Sequence, residues 1–542
     1  MSKKFINEST YKYFLNNGKE NEFDKFFDEA LAKVKKDFGK THHMYIGGKE
    51  VDSDSIITER SPINKDIIVG YFQNGKREHV KIAINSAKNS FINWSNINYK
   101  ERITVFRRFA DILSKNKFEL AAILSIENGK SRYESIGEVD EAIDFSRYYA
   151  SELEINKGYI RKTFSEGSKM SVAEGFQGAP SNSEKVIIRL MPYGVFGVIA
   201  PFNFPLSISV GMSVGAMISG NCVIFKPSST DNMTMYIGLK IYELLKEAGL
   251  PDGVFNYITG PGSEVGDELV INEEVSGIVF TGSRTVGMNM LAKVYNSKKQ
   301  KVFVVEMGGK NPVIISKNSD LESAVNGVLS AAFGFSGQKC SALSRVYIHE
   351  SIKEIFISRL VGKLRNLEIG DPTKKEVFIG PLISESAYKR YVDTVDKIKT
   401  AGRIIYGGSK IDTPLNGFYV EPIVAELRHE HELVHTELFL PILIVIGFRE
   451  FESAIHMSND VEYGLTAGLY SNNKKEIEEF TKKIEAGVIY INRAISATTG
   501  AIVGIHTFVG WKDSGLTGKG TGSKFYLPQF MREQSISITK ED

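Results

Sequence analysis

Cysteine is scarce in this chain. Cys222 and Cys340 are the only two among 542 residues. Their unrelated positions exclude a disulfide framework and suggest a reducing compartment. An excess of one charge is also missing. The formal net charge is +2 with both signs interspersed, so no field is built for nucleic acid or an anionic membrane. No apolar run approaches the roughly 20 residues of a membrane span. Residues 1–30 lack an apolar h-region and carry several acidic residues, so they read as neither a secretory signal nor a transit peptide. No paired His, Cys or Asp spacing surrounds His435 or His506, and no metal is expected. The default reading is a soluble cytoplasmic protein acting on a small molecule.

Apolar residues make up 42% of the chain, enough to bury large cores. Near 3- and 4-residue steps of Phe23, Phe26, Phe27, Ala30, Leu31 and Val34 predict an amphipathic helix. Met44 to Val51 reads as a hairpin turning at Gly47-Gly48. Residues 79–150 read as long helices. Residues 160–186 are rich in Ser, Gly, Lys and Glu and on their own read as a disordered linker. From Lys185 onward short apolar strands alternate with helices: strands at 193–200, 222–226, 254–258 and 277–281, helices at 205–219 and 232–248. This predicts a parallel, doubly wound sheet. A second α/β region runs from Asn311 to about Ser514. Residues 532–539 alternate polar and apolar, an exposed strand in want of an edge.

The segment Gly334-Phe335-Ser336-Gly337-Gln338-Lys339-Cys340-Ser341 sets a thiol among small residues. A nucleophile needs that room, and a tight turn that offers N–H groups. Cys222, inside an apolar run, fits a buried structural cysteine instead. Glu306 stands before Gly308-Gly309, and Asn203 lies between Phe202 and Phe204. Each alone suits a turn. Together, a thiol, a carboxylate and an amide form a set for acyl chemistry at an aldehyde carbon. Lys310 and Lys339 read as solvated surface lysines. Gly260-Pro261-Gly262-Ser263-Glu264-Val265-Gly266 is one residue longer than the dinucleotide fingerprint, and a plain turn fits about as well. Thr281 to Gly287 joins a strand to a helix whose first N–H groups suit a diphosphate.

These motifs carry a resemblance. Asn203 in P-F-N-F-P, Lys226 in F-K-P-S-S, Ser283 in F-T-G-S-R-T-V-G, Glu306 in E-M-G-G-K and Cys340 in F-G-F-S-G-Q-K-C-S-A resemble the aldehyde dehydrogenase superfamily. Glu437 and Phe439 in T-E-L-F-L-P and Phe508 in T-F-V-G-W-K-D-S-G continue it, from about Ile46 to Ser535. The Cys340 motif, the loop Thr499 to Gly504 and E-V-D-E-A-I-D-F around Glu138 resemble the L-glutamate γ-semialdehyde (1-pyrroline-5-carboxylate) dehydrogenases.

The resemblance implies an α/β fold with two doubly wound parallel-sheet domains and a small oligomerisation flap. It divides the chain into a cofactor domain (1–164 and 188–307), a catalytic domain (308–515) and a hairpin with tail (165–187 and 516–542) that reaches a neighbouring subunit of a homodimer or larger homo-oligomer. It implies oxidation of the semialdehyde to L-glutamate, the second step of proline catabolism. Cys340 would be the nucleophile, Glu306 the general base and Asn203 the oxyanion donor. NAD is expected, through Ile199, Ala200, Pro201, Phe202, Lys226, Ser228, Ser229, Gly262, Gly266, Thr281, Gly282, Ser283, Glu306, Met307, Gly308, Glu437 and Phe439. Ser229 stands where strict NAD users often have Glu, so NADP is tolerated. The substrate would meet Glu138, Phe204, Lys339, Ser341, Gly500, Ala501 and Phe508, with Glu138 facing its amine. Leu440 and Val509 replace glycines of the family pattern and Thr507 a proline. Competing readings are a dehydrogenase for another small semialdehyde or aliphatic aldehyde, and a non-catalytic relative. Thioester transfer to coenzyme A is a third, against which Glu306 argues.

Overall fold

Apolar runs without charge become central strands when helices cover both faces of a sheet. Val195–Ile199 and Cys222–Lys226 are such runs, and every residue in them is buried. The computed structural model describes residues 5–164, 184–229, 234–409, 411 and 413–539. In it these two strands join Phe255–Tyr257, Gly277–Gly282 and Val302–Met307 in parallel pairing. The predicted hairpin, Met44–Ile46 with Lys49–Val51, completes this seven-stranded sheet antiparallel at one edge.

The strand order matters for function. Val195–Ile199 is flanked by Cys222–Lys226 on one side and Gly277–Gly282 on the other. The chain therefore leaves this strand in one direction and later returns in the other. Such a reversal opens a crevice beyond the carboxyl ends of the strands. A second seven-stranded sheet has the order Arg403–Tyr406, Ile423–Glu426, Ile442–Phe448, Leu343–His349, Asn311–Ile315, Thr466–Tyr470 and Val488–Ile491. Only its Arg403–Tyr406 edge is antiparallel. One buried core lies against the first sheet, and two cover the faces of the second.

The helices start and stop close to expectation. Residues 205–219 yield Ser207–Ile218, and 232–248 yield Met235–Glu247. Residues 79–150 resolve into Arg77–Trp94, Tyr99–Lys115, Lys117–Asn128 and Arg132–Ile155. The N-terminal stripe falls on Glu20–Val34, with Phe23 and Phe27 fully buried. Phe26 is 41% exposed, because it lies off the stripe set by its neighbours. Met235–Glu247 has no cap of its own. Glu59 accepts from the amides of Met235 and Tyr236, and Glu127 from those of Tyr236 and Ile237. The carboxylates satisfy the orphan donors of the helix start.

Residues 160–186 are not wholly a linker. Ile160–Phe164 pairs antiparallel with the strand Glu184–Pro192. The tail strand finds its edge there as well, running from Met531 opposite Pro192 to Thr539 opposite Glu184. The part of the expected hairpin at 165–183 lies outside the described residues. Among the described residues no helix is long and apolar enough to cross a membrane.

Candidate active site

The crevice at the chain reversal is a cleft of about 570 Å³. From the first sheet it takes Ile199, Ala200, Pro201, Phe202 and Asn203, then Lys226 and Ser228, Gly262 and Gly266, and Thr281, Gly282 and Ser283. Glu306 and Gly308 follow, with Cys340, Glu437 and Phe439 from the other side. Sequence reasoning missed Phe280, Val286, Met290, Ile383, Ala387, Arg390 and Leu438, which also line it. These are ordinary core or helix residues by type, and only the fold exposes them to the cleft.

Cys340 follows an unusual turn. Phe335 and Ser336 both hold positive φ, 51° and 54°, a conformation seldom adopted by residues with a Cβ. Ser336 donates to the Gly380 carbonyl at 2.7 Å, and Gln338 accepts from Ile383 N at 2.9 Å. Asn311 donates to the Cys340 carbonyl at 2.8 Å. The thiol is thus held by groups outside its own motif. Cys340 is half-buried and opens on the cleft. Burial pushes its thiol well above the usual range, and the carboxylates of Glu306 and Glu437 add to the rise. Glu306 is raised to about 8, chiefly by burial and then by Glu141. Asn203 is 3% exposed and donates one amide N–H to the Gln338 carbonyl at 3.1 Å. An amide nitrogen has two hydrogens, so one is left for a ligand in the cleft.

Other residues of the cleft have the chemistry of a dinucleotide site. Lys226 is buried, its amine pushed down to about 8, and donates to Ser229 Oγ at 3.1 Å. Ser229 in turn donates to the Gly260 carbonyl. Ser283 caps the helix Arg284–Tyr295, whose first amides suit phosphate oxygens. Glu437, raised to about 7 by burial, accepts from Gly309 N at 2.8 Å. An ammonium, a helix start and a carboxylate fit a diphosphate flanked by ribose hydroxyls. Phe439 and Phe202 meet edge to face at 5.8 Å.

Several expectations need correction. Met307 does not line the cleft. It is fully buried, because successive strand residues face opposite sides and Glu306 takes the cleft side. Leu440 carries no strain, since the left-handed turn falls on Phe439, φ 57°. Leu440 is buried in the core of the second sheet. Its carbonyl approaches Gly337, where a Cβ would lie 2.4 Å away. Lys310 is no surface lysine. It is 1% exposed, and burial pushes its amine down to about 7.

Glu138 does not face the cleft. Its side chain is wholly buried, paired with Lys130, and it accepts from Leu206 N at 2.8 Å and Ser207 N at 3.2 Å. The acid paired with Lys339, the residue before Cys340 in the chain, is Glu134, one helical turn earlier. Phe508 lines a separate hollow of about 20 Å³, shared with Glu306 and Tyr526. Phe204 lies under the Lys130 ammonium, 3.6 Å from its ring centre. Ser341 is tied to the loop that carries Gly500 and Ala501 through Thr498. Thr498 Oγ1 donates to the Ser341 carbonyl at 2.7 Å, and Arg493 donates to the carbonyls of Thr499 and Gly500, both at 2.7 Å.

Against the expectation of no metal-ligand spacing at His435, His429 and His431 stand six and four residues before it, and the fold brings His429, His435 and Asp460 together, their ligand atoms within 4.8 Å of one another. Both His435 nitrogens face carbonyls, Asp460 O and His429 O, each at 2.8 Å.

Residues 50–536 match the Aldehyde dehydrogenase family. This chain belongs to that family. It is 36% identical to 1-pyrroline-5-carboxylate dehydrogenase 1 of Halalkalibacterium halodurans, over 95% of this chain and 96% of that one. The crystal structure of a 1-pyrroline-5-carboxylate dehydrogenase from Thermus with bound NAD shares 30% identity, with a TM-score of 0.90 and full coverage of both chains. Proline utilization A from Bdellovibrio bacteriovorus, inactivated by N-propargylglycine, aligns at 31% identity and a TM-score of 0.90. The match covers 99% of this aldehyde dehydrogenase and 54% of that longer protein, so this chain spans about half its length.

Proposed function

We propose that this aldehyde dehydrogenase oxidises L-glutamate γ-semialdehyde, the open form of 1-pyrroline-5-carboxylate, to L-glutamate with NAD. The observation that carries the reading is that Cys340, Glu306 and Asn203 open on one cleft that Lys226, Ser283 and Glu437 also line. The names of its relatives point to the same substrate. In this reading residues 1–164 and 188–307 form the cofactor domain and 308–515 the catalytic one. The three-stranded sheet of Ile160–Phe164, Glu184–Pro192 and Met531–Thr539 offers edges for a second copy.

The chemistry follows from the residues. Cys340 Sγ, once deprotonated, attacks the aldehyde carbon to give a thiohemiacetal. The developing oxyanion takes the free Asn203 N–H and the Cys340 backbone N–H, and losing one such donor typically costs about 100–1000-fold. NAD, when bound, supplies the hydride acceptor. The carbon is left as a thioester on Cys340. Glu306 takes a proton from water, which releases the acid and the thiol. The substrate carboxylate sits on the amides around Gly500, Ala501 and Ser341. Glu134 replaces Glu138 as the acid for the amine, since its second carboxylate oxygen is buried with no partner among the described residues.

The anchor loop gives the test. Gly500 has φ +84°, a conformation strained for any side chain. Charge-assisted bonds at the amino-acid end are worth roughly 1.5–3 kcal/mol each. Gly500→Val therefore lowers kcat/KM for glutamate semialdehyde by about 100-fold while propanal turnover changes little. If the parent enzyme used propanal as well as glutamate semialdehyde, the general aldehyde reading would replace this one.

Cofactor choice has its own test. Ser229→Glu sets a carboxylate beside Lys226 at the ribose end. It repels a 2′-phosphate and accepts from a 2′-hydroxyl, so the NAD over NADP preference rises, by about tenfold or more. Steady-state kinetics with both cofactors reads the ratio. An unchanged ratio would place Ser229 away from the ribose.

A further inference from the structure

The acid that fails to reach the cleft, Glu138, is one half of a buried ion pair with Lys130, and neither side chain has any exposed surface. Two charges that far from water are expensive to keep. Removing one partner alone would strand the other. Such a pair is best understood by what it holds.

Glu138 holds the start of the helix Ser207–Ile218. One carboxylate oxygen accepts from the amides of Leu206 and Ser207, and the other takes the Lys130 ammonium. The ammonium also donates to the carbonyl of Asn203. It lies against the ring of Phe204, 3.6 Å from the centre. One ion pair therefore grips the segment 203–207 at both ends, from the carbonyl of Asn203 to the amide of Ser207. The Asn203 side chain is fixed separately, by its bond to the carbonyl of Gln338, two residues before Cys340. The backbone of the amide donor is thus tied to Lys130, and its side chain to the cysteine turn.

We propose that Lys130, held by Glu138, is a positioning residue for the Asn203 amide, and sets where its N–H meets the oxygen of the reacting aldehyde. This rests on the aldehyde-oxidation reading, though not on which aldehyde is used. An oxyanion donor works only where the charge develops, and a misplacement of about 1 Å costs roughly 100-fold. The aldehyde itself is bound by other groups, so the effect falls on kcat.

The test is a cycle with Asn203→Ala, run with propanal so that a wrong substrate assignment leaves it intact. Lys130→Met is combined with Glu138→Gln, which removes both charges together and leaves neither one stranded. In the parent background this pair lowers kcat about 10- to 100-fold, with propanal KM and NAD Kd within about threefold. In the Asn203→Ala background it costs less than about threefold more, since the group it positions is gone. Glu138→Asp keeps both charges and draws the carboxylate back by one methylene. It shows the same pattern at smaller size, and answers the question if the neutral pair does not fold. Equal losses in both backgrounds would overturn the proposal, as would an effect confined to KM or NAD binding, or an unchanged kcat. A parent enzyme inert to every aldehyde would overturn both this and the reading beneath it.

Discussion

Cys340→Ala loses aldehyde oxidation by at least about 10,000-fold, while NAD affinity stays within about threefold of the parent. The two readouts separate because different residues serve them. In the proposed reading Lys226, Ser283 and Glu437 hold the dinucleotide, and none of them bonds the aldehyde. A loss of that size is about 5.5 kcal/mol of barrier, what is expected when the atom that bonds the substrate is absent. The remaining cysteine cannot stand in. Cys222 is fully buried in a central strand, and burial pushes its thiol far up. Steady-state NADH formation and equilibrium NAD titration measure the two quantities. A variant that keeps even about a tenth of the parent rate would show that the nucleophile lies elsewhere.

Glu306→Gln separates the two halves of the reaction. One equivalent of NADH forms per site at nearly the parent rate, followed by turnover slowed roughly 100–10,000-fold, because the thioester waits for water that no base activates. Stopped-flow absorbance resolves the two phases. The parent should also show a pH dependence that the variant lacks. A general base works deprotonated, and burial raises Glu306 to about 8. Steady-state turnover therefore climbs as pH rises through that value and falls below it. Equal slowing of the first turnover would assign Glu306 to an earlier step.

The sequence pointed to the proposed reacting groups more fully than to their supports. Cys340, Glu306 and Asn203 were legible as a set, because a carboxylate or an amide alone also suits a turn, while thiol, carboxylate and amide together suit acyl chemistry. The strands at 222–226 and 277–281 were legible because they are short apolar runs, rich in Val, Ile and Phe and bounded by turn residues, which separates a buried strand from a helix where periodicity cannot. The two acids on helix Arg132–Ile155 show where sequence stops. Glu134 and Glu138 lie a single turn apart on one face, and nothing local says which meets Lys339 and which goes to Lys130. Depth along a helix face is decided by what packs against it, here the start of Ser207–Ile218. The placement of Phe508 was hidden for a similar reason. A Phe reads as apolar contact from sequence, but whether it faces the thiol or the back of Glu306 depends on a distant loop. The trio at His429, His435 and Asp460 was hidden by the separation of Asp460 from the two histidines along the chain.

The strand Met531–Thr539 has a consequence for how the molecule assembles. Its partner, Glu184–Pro192, lies far away in the chain; the bond from Arg189 to Gln534 spans 345 residues. Closing a flexible loop of that length from an unstructured chain costs about 5 kcal/mol in chain entropy, before any reward from pairing. The contact should therefore form late, after both large sheets have condensed and drawn the ends together. Until then Glu184–Pro192 carries an unpaired edge. That edge is the place where a half-assembled chain would stick to its neighbours, and where slow maturation or loss to aggregates would begin.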